Sequence, residues 1–219
     1  LASVASQAAV AVENAQLHEQ RLRQLAIERD LELAHQVQQG FLPSTSPQVA
    51  GYHFFHYYEP ANQVGGDYYD YVLLPDGRIA VVVADVSGKG VAAALLMAKL
   101  ASDVRYLLAS EADPAAAVRR INDSFARPDW EDRFVTFVVA VLDPALHQLT
   151  VVNAGHMAPL LRRGPSDMVA IGEEEAGLPL GVVEEYEYQA TAHTLYPGDF
   201  LTIFTDGISE AMNASGDLY

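Results

Sequence analysis

Three strand-like runs follow one another in close succession: "FVTFVVAVL" (134–142), "QLTVVNA" (148–154) and "APLLRR" (158–163). The turns between them are too short to hold a helix. Parallel neighbours need a crossover of a dozen or more residues, so this spacing argues for antiparallel sheets. Earlier in the chain, "DYYDYVLL" (67–74) and "RIAVVVADV" (78–86) flank "PDG", a hairpin turn. Helical spacing then runs from about 90 to 110. Asp113-Pro114 supplies an N-cap and an N1 proline for a second helix, "AAAVRRINDSFA". "YHFFHYY" (52–58) is aromatic-rich and strand-like. "EYQATAHTLY" (187–196) alternates, and "PGD" turns the chain into "FLTIFTD" (200–206). The order is a hairpin, two helices, then consecutive strands without helical crossovers. That pattern predicts an α+β fold rather than a doubly wound parallel sheet.

Residues 1–40 read differently. No Pro or Gly occurs before Gly40, and Val4, Ala8, Ala11, Ala15, Leu22, Leu25, Leu33 and Val37 recur at helical spacing. A helix of about 40 residues is ~60 Å long. Its apolar stripe packs either on the domain that follows or on a second copy, and the length favours a coiled-coil-like homodimer seam. "GFLPSTSP" (40–47) breaks the helix, which sets the boundary between a linker helix (1–40) and a larger domain (41–219). The start lacks an initiator Met and a basic n-region, so it reads as part of a longer chain rather than a signal peptide.

Composition narrows the partners. With 13 Lys+Arg against 29 Asp+Glu, the formal net charge is -16, which disfavours nucleic acid. There is no cysteine, so disulfides, thiolate zinc sites and a Cys nucleophile are excluded. No apolar stretch reaches the ~18 residues of a membrane span. A cytoplasmic protein is the expectation.

The stretch "VVVADVSGKGVAAALLMAKL" (81–100) has the outline of strand, Gly-Lys loop and helix. It is not a phosphate-binding loop. That motif needs G-x-x-x-x-G-K-[ST], whereas Gly90 follows Lys89 and Val83 stands five residues before Gly88. The dinucleotide fingerprint fails at Ala93. What remains is Asp85, a carboxylate at the end of a very apolar strand. One reading is helix capping by Asp85 or Ser87. The other is a cation site, because "VGGDYYDY" and "FLTIFTDGISEA" place Asp67 and Asp206 at strand ends beside glycines in the same way. If the three strands are neighbours, hard carboxylate oxygens converge in a manner suited to Mg²⁺ or Mn²⁺.

These motifs, with "FVTFVVAVLD", "VNAGHMAPLL", "GLPLG" and "FTDGISEAMN" in order, resemble the PPM (type 2C-like) metal-dependent serine/threonine phosphatases, in their bacterial SpoIIE/RsbU-like branch. The likeness runs from about residue 30 to the end. Upstream, "LASVASQAAVAVENAQLHEQ" is similar to the closing helix of a GAF sensor domain. The resemblance implies an α-β-β-α sandwich with two Mn²⁺ or Mg²⁺ ions at one edge. Asp85 would bridge both ions, with the Val86 carbonyl as a further ligand, Asp67 on one ion and Asp206 on the other. It implies in-line attack of metal-activated water on phosphoserine or phosphothreonine, without a phosphoenzyme. It also implies a phosphorylated anti-anti-sigma (STAS) protein as substrate. Two departures stand out. The family carries a further Asp in a "DD-[IVM]-T" stretch, and this sequence stops at "NASGDLY", so the domain is expected to be C-terminally incomplete; Asp217 is not that residue. The upstream Arg that holds phosphate in broader PPM enzymes is missing from "EPANQVGGD", where Asn62 and Gln63 stand instead.

Lys89, Asn153 and His156 are the candidate substrate-binding residues. Lys89 is either a phosphate donor or a solvated loop lysine, and His156 of "NAGH" either orients a water or carboxylate or holds a turn. Tyr68, Tyr69 and Tyr71 read as core. His53 and His56 sit on a strand-like run and make no zinc case. Ser87 has no His–Asp partners that would make it a nucleophile. The rival to a phosphatase is a catalytically weak PPM-fold interaction module.

Overall fold

The structure is a computed structural model that describes residues 2–60, 63–126, 130, 133–164, 167–211 and 213, with side chains from residue 11 onward. Asn62, Asp217 and the side chains of Val4 and Ala8 lie outside the described residues. The chain divides into two compact units, Leu1–Gly40 and Phe41–Tyr219.

The first unit is one helix, α1 (Ala2–Gln39), uninterrupted because nothing before Gly40 breaks the backbone ladder. Its apolar residues Leu17, Leu22, Leu25, Leu33 and Val37 are each more than half exposed. Among the described residues no helix is long and apolar enough to cross a membrane.

The second unit contains strands β1 (Tyr68–Leu73) and β2 (Ile79–Val86), helices α2 (Val91–Ser110) and α3 (Pro114–Phe125), and strands β3 (Val135–Asp143), β4 (Gln148–Ala154), β5 (Leu160–Arg163), β6 (Asp167–Ala170), β7 (Ala190–Thr194) and β8 (Phe200–Thr202). A short helix, α4 (Asp206–Ser209), follows. All strand pairs are antiparallel. One sheet runs β1-β2-β3-β4-β7 and the other β6-β5-β8. The α+β architecture with two antiparallel sheets and a long N-terminal helix is the one the sequence predicts. The expected cap of α3 is present too, with the Asp113 side chain accepting from Ala115 N at 3.0 Å.

Three details differ from the sequence reading. The third of the consecutive strands does not continue the first sheet. β5 leaves for the second sheet after the turn Ala154–His156, where Gly155 has φ +69°. Strand β6 carries no strong apolar pattern and was not anticipated. Among the described residues the run 52–58 makes one isolated bridge, Val49 to Tyr52, and lays Phe54, His56 and Tyr58 against β1 while Phe55 and Tyr57 stay exposed. Phe54 meets Tyr71 edge-on, and His56 stacks near Tyr69.

Alternation along the strands sorts two cores. On one face of the five-stranded sheet, Ala80, Val82, Ala84 and Val86 of β2 and Phe137, Val139 and Val141 of β3 pack with Met97, Leu100, Val104, Val118 and Ile121 of α2 and α3. On the other face, Val83, Val138, Ala140, Leu142, Leu149 and Val151 meet Leu161 and Ile171 across the gap between sheets. Residues spaced by two share a face, so Asp85 belongs with Val83 on the inter-sheet side, at its open end.

Helix α2 is pinned to β1 by a buried carboxylate. Asp70, 2 % exposed, accepts from Arg105 Nε at 2.6 Å, from the Tyr68 hydroxyl at 2.7 Å and from Tyr71 N at 2.8 Å. Arg105 Nη2 donates in turn to Phe41 O at 2.7 Å. Asp70→Ala orphans the buried Tyr68 hydroxyl and leaves Arg105 with only the Phe41 carbonyl, and should lower stability by about 1–3 kcal/mol in urea unfolding. Arg119→Ala breaks a solvent-exposed pair with Glu187 and should leave the urea midpoint nearly unchanged.

Candidate metal centre

The ladder between β1 and β2 pairs Tyr68 with Ala84. Extended by one residue, the same register sets Asp67 opposite Asp85, and by two it sets Gly66 opposite Val86. Val86 N donates to Gly66 O at 3.4 Å, which continues the pairing. On its other side Asp85 pairs with Thr136 of β3. Asp67, Asp85 and Thr136 therefore form a row across three strands at the mouth of the inter-sheet space. Gly66 makes the approach possible. A Cβ there would lie 2.7 Å from Val86 O and 3.3 Å from Asp85 Oδ1.

The two carboxyls lie within hydrogen-bonding reach of each other. Burial, then the charges of Asp67 and Asp206, push Asp85 up to about 7. Asp67 is also raised, chiefly by burial, against the lowering effect of its hydrogen bonds from Asp85 and Thr205. Thr205 Oγ1 donates to Asp67 Oδ2 at 3.3 Å. Asp206, at the start of α4, acts on both carboxyls through its charge. Among the described residues no three His, Cys, Asp or Glu side chains stand close enough to enclose a metal ion unaided. The structure thus brings Asp67 and Asp85 together and leaves Asp206 as a charged neighbour.

Opposed carboxylates need either a proton held between them or a cation. Two hard oxygen donors, the Val86 carbonyl turned toward Gly66, and Asp206 nearby suit a divalent ion with water completing its shell. The donor set fits Mg²⁺ or Mn²⁺. The capping alternative does not hold. The N-cap of α2 is Gly90, which offers no side chain, and Ser87 Oγ instead accepts from Phe134 N at 2.9 Å.

The candidate substrate-binding residues separate into two kinds. Lys89 is exposed in the loop between β2 and α2. Asn153 is buried and fully engaged: its amide nitrogen donates to the carbonyls of His156 and Gly172, and its oxygen accepts from His156 N at 2.8 Å. Its work here is to shape the turn that presents His156.

His156, 8 % exposed, spans the gap between the sheets. Its Nε2 lies 3.1 Å from Phe204 O, and its Nδ1 lies 2.8 Å from Thr136 Oγ1. A carbonyl only accepts, so Nε2 carries the proton and Nδ1 accepts from the threonine hydroxyl. Burial lowers the ring's pKa, which keeps it neutral. The contacts close on themselves. Asp67 meets Asp85, Asp85 neighbours Thr136, and Thr136 holds His156; His156 holds Phe204, and the adjoining Thr205 donates to Asp67. Thr136 and Thr205 were not apparent from sequence. Thr205 does precede Asp206, but only the strand register reveals Thr136.

Comparison with known proteins identifies the family. Residues 75–219 match the family model described as Stage II sporulation protein E (SpoIIE). The chain is 31% identical over 195 residues to the phosphoserine phosphatase RsbU of Bacillus subtilis, covering 89% of this chain and 58% of that one. It therefore spans less than two thirds of that relative's length. A structure of the RsbU and RsbW domains of a Mycobacterium tuberculosis protein is similar at 28% identity and TM-score 0.61, over 69% of this chain and 42% of that one. The SiaA PP2C domain of Pseudomonas aeruginosa, at 21% identity, shares the fold with TM-score 0.74 over 89% of this chain and 78% of that one.

If His156 sets the position of the Phe204–Asp206 segment, His156→Ala should weaken Mn²⁺ binding roughly 10- to 100-fold. His156→Gln keeps an amide donor for Phe204 O and should lose less than half of that effect on a logarithmic scale. Calorimetric titration reads both. Equal affinity in all three proteins would show that the histidine only fills the turn.

Proposed function

The chain belongs to the SpoIIE family, and from that premise we propose that it is a metal-dependent phosphatase of phosphoserine or phosphothreonine in proteins. The observation that carries the proposal is the facing pair Asp67 and Asp85 at the rim of the sandwich, with Asp206 in electrostatic reach. Asp67, Asp85 and the Val86 carbonyl would hold Mn²⁺ or Mg²⁺ on one side, and Asp206 would serve a second ion. When bound, such ions supply positive charge for phosphate oxygens and an activated water.

The chain's own residues have separate tasks. Asp85, with Asp67 beside it on one strand and Thr136 on the other, would be the central ligand, the role the family resemblance implies. Thr205 fixes the orientation of Asp67 through its hydrogen bond. His156 holds the segment that carries Asp206 at a set distance from β3. Lys89, exposed at the lip, is available to a substrate. The substrate would be a small phosphorylated STAS-type regulator, consistent with the phosphoserine phosphatase named among its relatives.

A second reading is kept alive by one observation: the three aspartates do not enclose an ion by themselves. On that reading the fold binds a phosphoprotein without turning it over. Phosphoester hydrolysis with and without metal separates the two. Activity should require Mn²⁺ or Mg²⁺, vanish with EDTA and fall by at least about 10²-fold in Asp85→Asn. Turnover that survives both treatments would remove the metal-centre assignment, and none under any condition would favour the binding module.

We propose further that α1 is a homodimer seam, since Leu22 and Leu25 lie three apart and are 54% and 53% exposed. Light scattering should give a dimer for the unaltered chain and a monomer for the Leu22→Glu/Leu25→Glu double variant. A monomer in both cases would rule the seam out.

A further inference from the structure

Nine lysines and arginines lie among the described residues from 41 onward. Six form ion pairs with carboxylates, and Arg162 lies over the Phe200 ring. Of these nine, only Lys89 and Arg133 have no side-chain partner among the described residues. These two share one place. Ser87 N donates to Phe134 O at 2.9 Å, and Phe134 N donates to Ser87 Oγ at 2.9 Å, so the segment at Arg133 is stitched to the loop that carries Lys89. The Arg133 guanidinium lies over Gly88, where a Cβ would stand 3.0 Å from its Nη1. Gly88 has φ +96°, a conformation that favours glycine, and the missing side chain leaves the space that the guanidinium fills.

On a chain of net charge -16, most of the described cations from residue 41 onward are neutralised by a neighbouring carboxylate. Lys89 and Arg133 are not, and the segments that carry them are hydrogen-bonded together next to the strand end that bears Asp85. We propose that Lys89 and Arg133 form a subsite for acidic side chains flanking the phosphorylated residue of a protein substrate. The inference rests on the phosphatase reading for what occupies the carboxylate site. Lys89 and Gly88 follow Asp85 by four and three residues, which is at most about 10–13 Å of chain. An extended peptide advances about 3.3 Å per residue, so a phosphoserine aimed at Asp85 would set residues two to four positions away over the lip. Arg133 offers a planar fork that suits a carboxylate, and Lys89 a mobile point charge.

Among the described residues neither side chain forms an ion pair, and Arg133 covers only Gly88 in the loop, so their replacement leaves the buried cores untouched. The test uses three fluorescent phosphoserine peptides that differ only in flanks: acidic, neutral or basic. Binding is read by anisotropy in low salt without metal, and turnover by phosphate release with Mn²⁺. The unaltered chain should bind the acidic-flank peptide roughly 3- to 30-fold more tightly than the neutral one, with the ratio shrinking as salt rises. Lys89→Ala/Arg133→Ala should bring the ratio to within about twofold of unity. Lys89→Glu/Arg133→Glu should invert it in favour of the basic flank, an outcome that misfolding cannot produce. No preference in the unaltered chain, or a preference that survives both double variants, overturns the subsite. If the acidic preference behaves as expected but no peptide is hydrolysed with Mn²⁺, the subsite stands and the phosphatase reading falls.

Discussion

Two carboxylates facing each other at the end of an apolar strand are the constraint around which the domain is arranged. Left to themselves, Asp67 and Asp85 would move apart, because like charges directly opposite on neighbouring strands repel. They stay together because the strands that carry them cannot separate. β2 is flanked by β1 and β3 along its length, and its residues are packed on both faces. The desolvation that raises both carboxyls is therefore imposed by the core, and a shared proton or a cation relieves it. Asp70 adds a second lock three residues further along β1, where α2 grips the same strand through Arg105.

The antiparallel layout could be read from the sequence because strand length and turn length both speak to it directly. So could α3, where Asp113 and Pro114 mark the start chemically. The path of β5 could not. Nothing in "NAGHMAP" says that the chain changes sheets there, since that depends on a rotation at Gly155. The aromatic run 52–58 alternates as a ladder strand would, yet its alternation serves ring packing instead.

At the site, the aspartates were visible as a repeated grammar of apolar strand, Asp and glycine. Their partners were not. Thr136 is unremarkable in sequence and matters only because the register puts it beside Asp85. Arg133 sits well away from the motif glycines in sequence, and its relation to Gly88 exists only once the loop after β2 is stitched to the start of β3. Asn153 and His156 were recognisable as a unit, but sequence could not assign one to shaping a turn and the other to spanning the sheets.

The turn that carries β5 into the second sheet is also the turn that delivers His156 to Thr136 and Phe204. Sheet assembly and site assembly are therefore one event. The two halves of the constellation belong to separate sheets, and their relation depends on β5 pairing with β8. One rotation, at Gly155, thus fixes both the path of the chain between the sheets and the span from Thr136 to the Phe204 carbonyl.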